Sequence, residues 1–209
     1  MTKVAIFAAI IVFGYLLGSV PFGLLLGKLC GVDVRKYGSG KTGATNVFRV
    51  LGAKAGIPAL IADVGKGVTP VLIARFTLGP GGEVAAALAA VVGHNWPVYL
   101  RFRGGRGAAT SLGGLAAMSW PVSLLAPVSL AVFAIVVAFS RYVSLGSMTA
   151  ALSVLVLMIP LVALNRIELI YLIYGVLAPG LIVFQHRDNI ARLVAGTERK
   201  LGERGGRRR

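Results

Sequence analysis

Long apolar runs separated by short polar segments dominate the chain. A membrane-spanning helix needs about 20 apolar residues, and runs of that order lie at Val4–Gly27, Ile57–Phe76, Glu83–Leu100, Leu145–Leu164 and Ile167–Phe184. A further stretch, 107–139, would be about 50 Å long as one helix, against a hydrocarbon core of about 30 Å. Because Pro kinks or breaks a helix, we predict two short helices there, separated near Trp120 and Pro121. The pattern predicts an all-α integral membrane protein with seven transmembrane helices.

The charged residues crowd onto one side of this predicted bundle. Of the 209 residues, 56% are hydrophobic and only 14% are charged, yet the formal net charge is +15. With seven spans, the Lys and Arg residues lie in loops 28–54, 101–106 and 140–144 and in the tail after residue 185, except for Lys3, Lys66, Arg75 and Arg166. By the positive-inside rule this side is the cytoplasm, so the N-terminus lies outside and the C-terminus inside.

The composition also limits the class of protein. A nucleic-acid-binding protein can be this basic, but it does not carry repeated apolar runs of spanning length, so no nucleic-acid partner is expected. We predict a seven-helix membrane domain over residues 1–185. Residues 186–209 are predicted to form a cytoplasmic interfacial helix and a basic tail, which is attracted to anionic lipid headgroups.

The first predicted cytoplasmic loop contains the sequence GSGKTGATN at positions 38–46. It resembles a nucleotide-binding P-loop, but Arg35 stands where the pattern GxxxxGK[ST] requires its first glycine, and no buried strand precedes it. Glycines and hydroxyls here can still surround an anion, and a guanidinium can bind two phosphate oxygens. The candidate residues are Ser39, Gly40, Thr45, Asn46 and Arg49. The alternative is a flexible loop whose basic residues only satisfy the positive-inside rule.

Two later segments bring similar chemistry to the same predicted face. The third span ends with His94, and a glycine-rich turn with an arginine opens the fourth: Gly104, Gly105, Arg106 and Gly107. The N–H groups and the dipole of a helix N-terminus favour an anion there. The glycines could instead form only a tight turn. For His94, the alternative to a role in the anion site is helix capping or packing. Ionisable residues at membrane depth are nevertheless functional by default.

The third segment follows the seventh span directly. If this segment is helical, His186 and Asn189 are three residues apart and share a face. Inside the second span, Asp63 and Lys66 are also three residues apart, and two interpretations are open. They form an ion pair that neutralises both, or Lys66 belongs to the anion site. No metal or cofactor is expected, because His94 and His186 lack neighbouring ligands at metal spacing.

Five segments in this order resemble the bacterial acyl-phosphate:glycerol-3-phosphate acyltransferase family, the integral membrane PlsY type. They are GSVPFG (18–23), GSGKTGATNVFR (38–49), DVGKG (63–67), GHNWPVYLRFRGGRGAAT (93–110) and HRDNIARLVAGTE (186–198). The resemblance covers nearly the whole chain. It implies seven spans with an external N-terminus, in the bacterial cytoplasmic (inner) membrane, with the active site on the cytoplasmic face.

The resemblance also implies an activity. A fatty acyl group passes from acyl-phosphate to the 1-hydroxyl of glycerol 3-phosphate, giving lysophosphatidic acid and inorganic phosphate, the first acylation of phospholipid synthesis. The expected partners are these two substrates and membrane lipid, with the protein acting as a monomer. Two positions depart from the family pattern, which more often has Asn at Lys41 and Lys at Arg106.

By resemblance, Ser39, Arg49, His186 and Asn189 are catalytic, Gly104, Gly105 and Gly107 bind glycerol 3-phosphate, and Glu198 is structural. We add Gly40, Thr45, Asn46, Lys66, His94 and Arg106 as substrate-binding residues.

The expected mechanism is direct transfer, because an acyl-phosphate is already activated. Arg49 and Arg106 would hold phosphates, while hydroxyl and amide groups orient the reacting oxygens. The base for the glycerol hydroxyl is either His186 or a phosphate oxygen of the substrate, and we favour the substrate with His186 as an organiser. The alternative function is a transporter of a phosphorylated metabolite, although such a protein should line a path through the midplane with polar residues.

Overall fold

The computed structural model describes residues 2–203, which form ten α-helices joined by short turns. They are α1 (Lys3–Ser19), α2 (Phe22–Leu29), α3 (Ala44–Leu51), α4 (Ala53–Leu78), α5 (Pro80–Asn95), α6 (Ala108–Ala117), α7 (Leu125–Ser140), α8 (Val143–Ala163), α9 (Tyr171–Gln185) and α10 (Arg187–Val194). Short 3₁₀ turns lie at Val34–Lys36, Val98–Leu100 and Val122–Leu124.

The prediction of an all-α membrane protein agrees with this architecture. Within residues 2–203, four segments are long and apolar enough to cross a membrane, namely Lys3–Leu29, Ala53–Leu78, Val122–Ser140 and Val143–Ala163. Large apolar side chains cover the outer surface, such as Phe139 at 89% exposure, as expected for contact with lipid. The count of seven spans, the side of each terminus and the division at residue 185 stay predictions.

Two pairs of helices approach closely through small residues. A Cβ on Gly18 of α1 would collide with the backbone of Ala90 in α5, and one on Gly93 would collide with the backbone carbonyl of Tyr15. Gly67 of α4 lies in the same way against Thr110 of α6. Small residues at membrane helix interfaces allow such approach, and they fix the helices that carry the site.

The first predicted span, Val4–Gly27, lies within one candidate span, Lys3–Leu29, but the helix in it breaks at Val20 and Pro21 into α1 and α2. The residue before a proline is pushed towards extended backbone, and Val20 has φ −63° and ψ 118°. The third predicted span, Glu83–Leu100, is wrong at its C-terminal end. Helix α5 begins at Pro80 and ends at Asn95, because Pro97 cannot continue it, and Val98–Leu100 is a separate turn.

Two other predictions of helix boundaries are confirmed. Helix α6 ends at Ala117 and α7 begins at Leu125, so the stretch 107–139 is broken around Trp120 and Pro121. The predicted helix after residue 186 is α10. Residues 204–209 of the predicted basic tail lie outside the described residues.

Six of the helices between residues 53 and 185 have an end at the same end of the bundle. Helices α4, α6 and α8 begin there, and α5, α7 and α9 end there, and residues of α3, α4, α5, α6, α8 and α10 line one cavity. We call this the site end. The start of α5, the turn after α6 and the start of α9 meet at the opposite, far end.

Candidate active site

A small polar cavity of about 80 Å³ lies at the site end. It gathers residues from all three polar segments of the sequence. The predicted residues that line it are Ser39, Thr45, Asn46, Arg49, His94, Gly105, Arg106, Gly107, His186 and Asn189. The predicted residues Gly40, Lys66 and Gly104 do not line it.

Asn46 fixes the shape of the loop at 38–46. Its Oδ1 accepts a hydrogen bond from the backbone N–H of Ser39 at 2.8 Å, and its Nδ2 donates to the carbonyl oxygens of Val34 at 2.9 Å and Lys41 at 3.0 Å. These bonds use the amide within the loop. Asn46 therefore places Ser39 at the cavity, and its own polar atoms are largely occupied by backbone partners.

Arg49 lies one turn further along α3 and reaches the cavity wall. On the opposite side of the same helix, Val47 is fully buried in a small core with Leu24 and Val34, which fixes the orientation of α3. Burial lowers the pKa of Arg49, while Glu198 acts in the opposite sense. A guanidinium remains charged at neutral pH, so Arg49 presents a planar cation to the cavity.

The glycine-rich turn before α6 packs directly on His94. Gly105 donates its N–H to the carbonyl oxygen of His94 at 3.0 Å, and a Cβ on Gly105 would collide with His94 Nε2. Gly107 is the residue that precedes α6, and its φ of +78° lies in the left-handed region of backbone conformation. These positions require glycine because a side chain would separate the turn from α5.

Arg106 extends from this turn into the cavity. Burial lowers the pKa of Arg106 to about 10, so it stays charged at neutral pH. Its Nε is buried without a hydrogen-bond partner among residues 2–203. The first turn of α6 adds unpaired N–H groups and the positive end of the helix dipole. A buried cation beside such donors is suited to an anion.

The third segment contributes one imidazole and one amide. His186 Nδ1 lies 2.8 Å from the carbonyl oxygen of Ile182, which can only accept, so Nδ1 carries the proton and Nε2 is a free acceptor. Burial and then the charge of Arg106 lower the pKa of His186 to about 4, so the ring is neutral at neutral pH. Asn189 Oδ1 is a second buried acceptor with no partner in the described chain.

Glu198 orients Asn189 from behind. Its Oε1 accepts from Asn189 Nδ2 at 2.6 Å and from Ser144 Oγ at 2.8 Å, and its Oε2 accepts from Arg192 Nε at 2.7 Å. Burial alone would raise the pKa of Glu198, but these hydrogen bonds outweigh it and lower the pKa. The carboxylate thus links α8, α10 and the C-terminal segment.

A much larger apolar cavity of about 1080 Å³ adjoins the polar one. It extends between α4, α6, α8 and α9, with Val68, Leu112 and Val154 among its lining residues. Eight residues line both cavities: Ala44, Thr45, Arg49, Leu60, Ala108, Ala109, Val143 and Ser147. The combined space therefore suits a ligand with an anionic head and a long apolar tail.

Comparison with known proteins now identifies the family. A family model described as glycerol-3-phosphate acyltransferase matches residues 8–196.

The chain belongs to the glycerol-3-phosphate acyltransferase family.

A glycerol-3-phosphate acyltransferase of Geotalea daltonii is 50% identical over 191 residues, covering 90% of this chain and 94% of its own. Two solved structures of PlsY, an integral membrane glycerol 3-phosphate acyltransferase, are also similar. The glycerol 3-phosphate form has 38% identity and a TM-score of 0.87, and the lysophosphatidic acid form has 37% and 0.85. The match to each structure covers 94% of this chain and 96% of the chain in the solved structure. The protein is thus an acyltransferase of an integral membrane family, and the comparisons give no support to a transporter.

Lys66, assigned to substrate binding from the sequence, lies in a buried ion pair within α4. Its ammonium lies 3.0 Å from Asp63 Oδ1 and donates to the carbonyl oxygen of Val20 at 3.1 Å, with both side chains of the ion pair only 2% exposed. The ion-pair interpretation therefore describes its position, and Lys66 does not face the polar cavity. Gly40 and Gly104 likewise use their N–H groups on the carbonyl oxygens of Tyr37 and Asn95.

The sequence did not predict the contribution of α8 to the site. Ser144 and Ser147 line the polar cavity from the first turn of this helix. Their spacing places them on one helical face, which was the available signal, but serines are too common in helices for such spacing to be specific. Glu198 was expected to be structural, and it lines the cavity while it holds Asn189.

Proposed function

We propose that this acyltransferase moves a fatty acyl group from acyl-phosphate to the 1-hydroxyl of glycerol 3-phosphate and releases inorganic phosphate and lysophosphatidic acid. One observation carries the proposal: a cationic cavity adjoins an apolar cavity of about 1080 Å³, and Thr45 and Arg49 line both. Acceptor and product are supported by the names of the relatives and by the forms of the similar solved structures.

The two arginines divide the work of holding phosphate groups. Arg49 lies where the two cavities join, so we assign it to the phosphate of the acyl donor, whose chain would occupy the apolar cavity. Arg106 lines the polar cavity and not the apolar one, so we assign it, with the first turn of α6, to the phosphate of glycerol 3-phosphate. Guanidinium groups bind phosphate oxygens in pairs, which fixes orientation as well as charge.

The reaction then needs alignment more than activation. The 1-hydroxyl oxygen of glycerol 3-phosphate attacks the acyl carbonyl carbon, the new ester C–O bond forms, and the C–O bond to phosphate breaks. Phosphate leaves with the bonding electrons, and Arg49 stabilises its charge. Ser39 and Thr45 line the cavity, and we assign them to donate hydrogen bonds to oxygens that become more negative in the transition state.

The proton of the hydroxyl passes to a phosphate oxygen of the substrate. His186 Nε2, an acceptor because Nδ1 is bonded to Ile182, orients glycerol 3-phosphate by accepting a hydrogen bond from its other hydroxyl, the 2-hydroxyl. Asn189 Oδ1 offers a second acceptor for a glycerol hydroxyl. The geometry supports this assignment because Asn189 Oδ1 is buried without a partner in the described chain, and a substrate hydroxyl would supply one.

For the membrane we propose seven spans, an external N-terminus and a site on the cytoplasmic face of the bacterial inner membrane, with a monomer as the active unit. The exposed Cys30 lies directly after α2, at the site end by this topology. A membrane-impermeant thiol reagent should label Cys30 in inverted vesicles and not in right-side-out vesicles. A Thr2→Cys, Cys30→Ser variant should show the opposite pattern, and labelling from the same side at both positions would contradict the topology.

The donor is tested with the purified protein in detergent. Palmitoyl-phosphate or a palmitoyl thioester is supplied together with glycerol 3-phosphate, and lysophosphatidic acid is measured without added metal or nucleotide. We expect product from palmitoyl-phosphate alone of the two donors, because the site holds the leaving phosphate through Arg49. Product from the thioester at a comparable rate would contradict the proposed donor.

A further inference from the structure

Asp63 lines the polar cavity, is almost fully buried and contacts three different parts of the protein. It lies within α4, and its side chain is 2% exposed. Oδ1 lies 3.0 Å from Lys66 Nζ and 3.6 Å from His94 Nδ1, while Oδ2 accepts a hydrogen bond from the backbone N–H of Ala44 at 3.3 Å. An ion pair that served only to neutralise Lys66 would not require the other two contacts.

The contact with Ala44 leads to the first anion-binding loop. Ala44 is the first residue of α3, the helix that carries Thr45, Asn46 and Arg49. Its N–H is one of the groups that a helix leaves unpaired at its start, and Asp63 supplies the acceptor. The carboxylate also favours the positive end of the α3 dipole. Asp63 thereby fixes the start of α3 against α4.

The contact with His94 leads to the second anion-binding loop. The carbonyl oxygen of His94 accepts the N–H of Gly105, and the imidazole fills the space above Gly105. The same ring lies close to Gly43, where an added Cβ would be 3.7 Å from Nε2. His94 is thus packed between the two loops, with Asp63 beneath it.

Lys66 extends the same network to the break between α1 and α2. It donates to the carbonyl oxygen of Val20, which Pro21 leaves outside the helix ladder. Beyond the break, Gly23 of α2 packs on the backbone of Thr42, so α2 supports the first loop from its other side. Each branch from Asp63 therefore ends at a segment that borders the cavity.

We propose that Asp63 is a positioning residue that sets the distance between the loop at 38–46 and the loop at 104–107, so that both phosphate groups fit at once. It acts through Ala44 and His94, and Lys66 balances its charge. The inference rests on the proposed function. A displacement of reacting groups by about 1 Å can lower a rate about 100-fold, so loss of Asp63 should lower kcat in a protein that remains folded.

The test uses two double variants that differ in a single group. Asp63→Asn with Lys66→Met keeps a side-chain oxygen that can accept from Ala44, whereas Asp63→Val with Lys66→Met does not. Both variants remove the two charges of the buried ion pair together, a change that proteins often tolerate. Removal of one partner alone would leave the other charge buried and uncompensated. We expect thermal midpoints within a few degrees of each other and a kcat that is about 100-fold lower in the Val variant than in the Asn variant. Equal kcat values would overturn the inference.

A second variant examines the hydrogen bond without changing the ion pair. Ala44→Pro removes the N–H that Asp63 accepts, at the first helical position where proline is tolerated. We expect kcat to fall, as in the Val variant, and an unchanged kcat would overturn the proposal that Asp63 acts through α3.

The wild-type protein is assayed in parallel. Absence of lysophosphatidic acid in the wild type would refute the proposed function, whereas active wild type with equally active variants would refute this inference alone.

Discussion

Two buried polar clusters lie at opposite ends of the same helices, and they differ in how fully they are paired. At the far end, Glu83 accepts from Ser119 N at 2.9 Å, from Ser119 Oγ at 2.5 Å and from Tyr171 Oη at 2.8 Å. At the site end, Arg106 Nε and Asn189 Oδ1 have no partner within residues 2–203. Glu83 and His94, at the two ends of α5, are about 16 Å apart along its axis.

This difference separates a structural role from a binding role. A buried polar group without a partner costs free energy, so the closed far-end cluster stabilises the junction of α5, α6 and α9. The open cluster at the site end keeps donors, acceptors and cations around a cavity. A substrate with phosphate groups would supply the missing partners. Polarity within the bundle therefore does not itself indicate a site; incomplete pairing beside a cavity does.

The largest effect is expected for Arg49→Ala. It removes a cation from the transition state, and we expect kcat/KM to fall about 10³-fold, the scale found when one preorganised donor is lost. The matched control is Arg35→Ala, in the same loop region. Arg35 is 44% exposed and paired with Asp33 at 2.7 Å, so its loss should leave the rate unchanged. Equal losses in both variants would show that general positive charge, rather than the cavity, determines activity.

The next effect concerns His186 and the pH profile. With its pKa lowered to about 4, His186 is neutral above about pH 5. Its titration therefore cannot produce an acidic limb near pH 6 in the pH profile of kcat. A substrate phosphate, with a second pKa of about 6, would give one there. We expect His186→Gln to keep a few per cent of kcat and to retain the limb near pH 6. A loss beyond about 10⁴-fold together with loss of the acidic limb would make His186 the base instead.

Glu83→Ala should affect the opposite property. It leaves the Ser119 and Tyr171 hydroxyl groups buried without their acceptor, which costs roughly 1–3 kcal/mol for each such group. We expect a lower thermal midpoint in detergent and an unchanged kcat per folded molecule. A variant with normal stability and reduced kcat would place the far-end cluster in catalysis and remove the distinction between the clusters.

The smallest effect is expected for Ser144→Ala. Glu198 would still be held by Asn189 and Arg192, so Asn189 should keep its position and kcat should fall only a few-fold. Ser153→Ala is the control on the same helix, because its hydroxyl bonds to the carbonyl oxygen of Ala150 in its own helix. A loss as large as that of Arg49→Ala would mean that Ser144 contacts the substrate directly.

Much of this organisation could be predicted from the sequence, for reasons that differ between helices and site. Hydrophobic runs locate helices because the membrane requires them, and the errors at Pro21 and Pro97 arose where a proline ended a helix inside an apolar run. The two cationic loops could be predicted because glycines and an arginine occur together in each of them, between apolar runs. The pairing of Lys66 and the arrival of Ser144 at the cavity depend on how distant helices pack, which local patterns do not contain.

The most direct measurement is release of inorganic phosphate from palmitoyl-phosphate by the wild type, Arg49→Ala and Glu83→Ala proteins, with and without glycerol 3-phosphate. Direct transfer in the cationic cavity predicts release by the wild type and Glu83→Ala that requires glycerol 3-phosphate and equals the lysophosphatidic acid formed. It predicts almost none from Arg49→Ala. Release without the acceptor, or an undiminished rate in Arg49→Ala, would contradict this mechanism and place the reaction elsewhere.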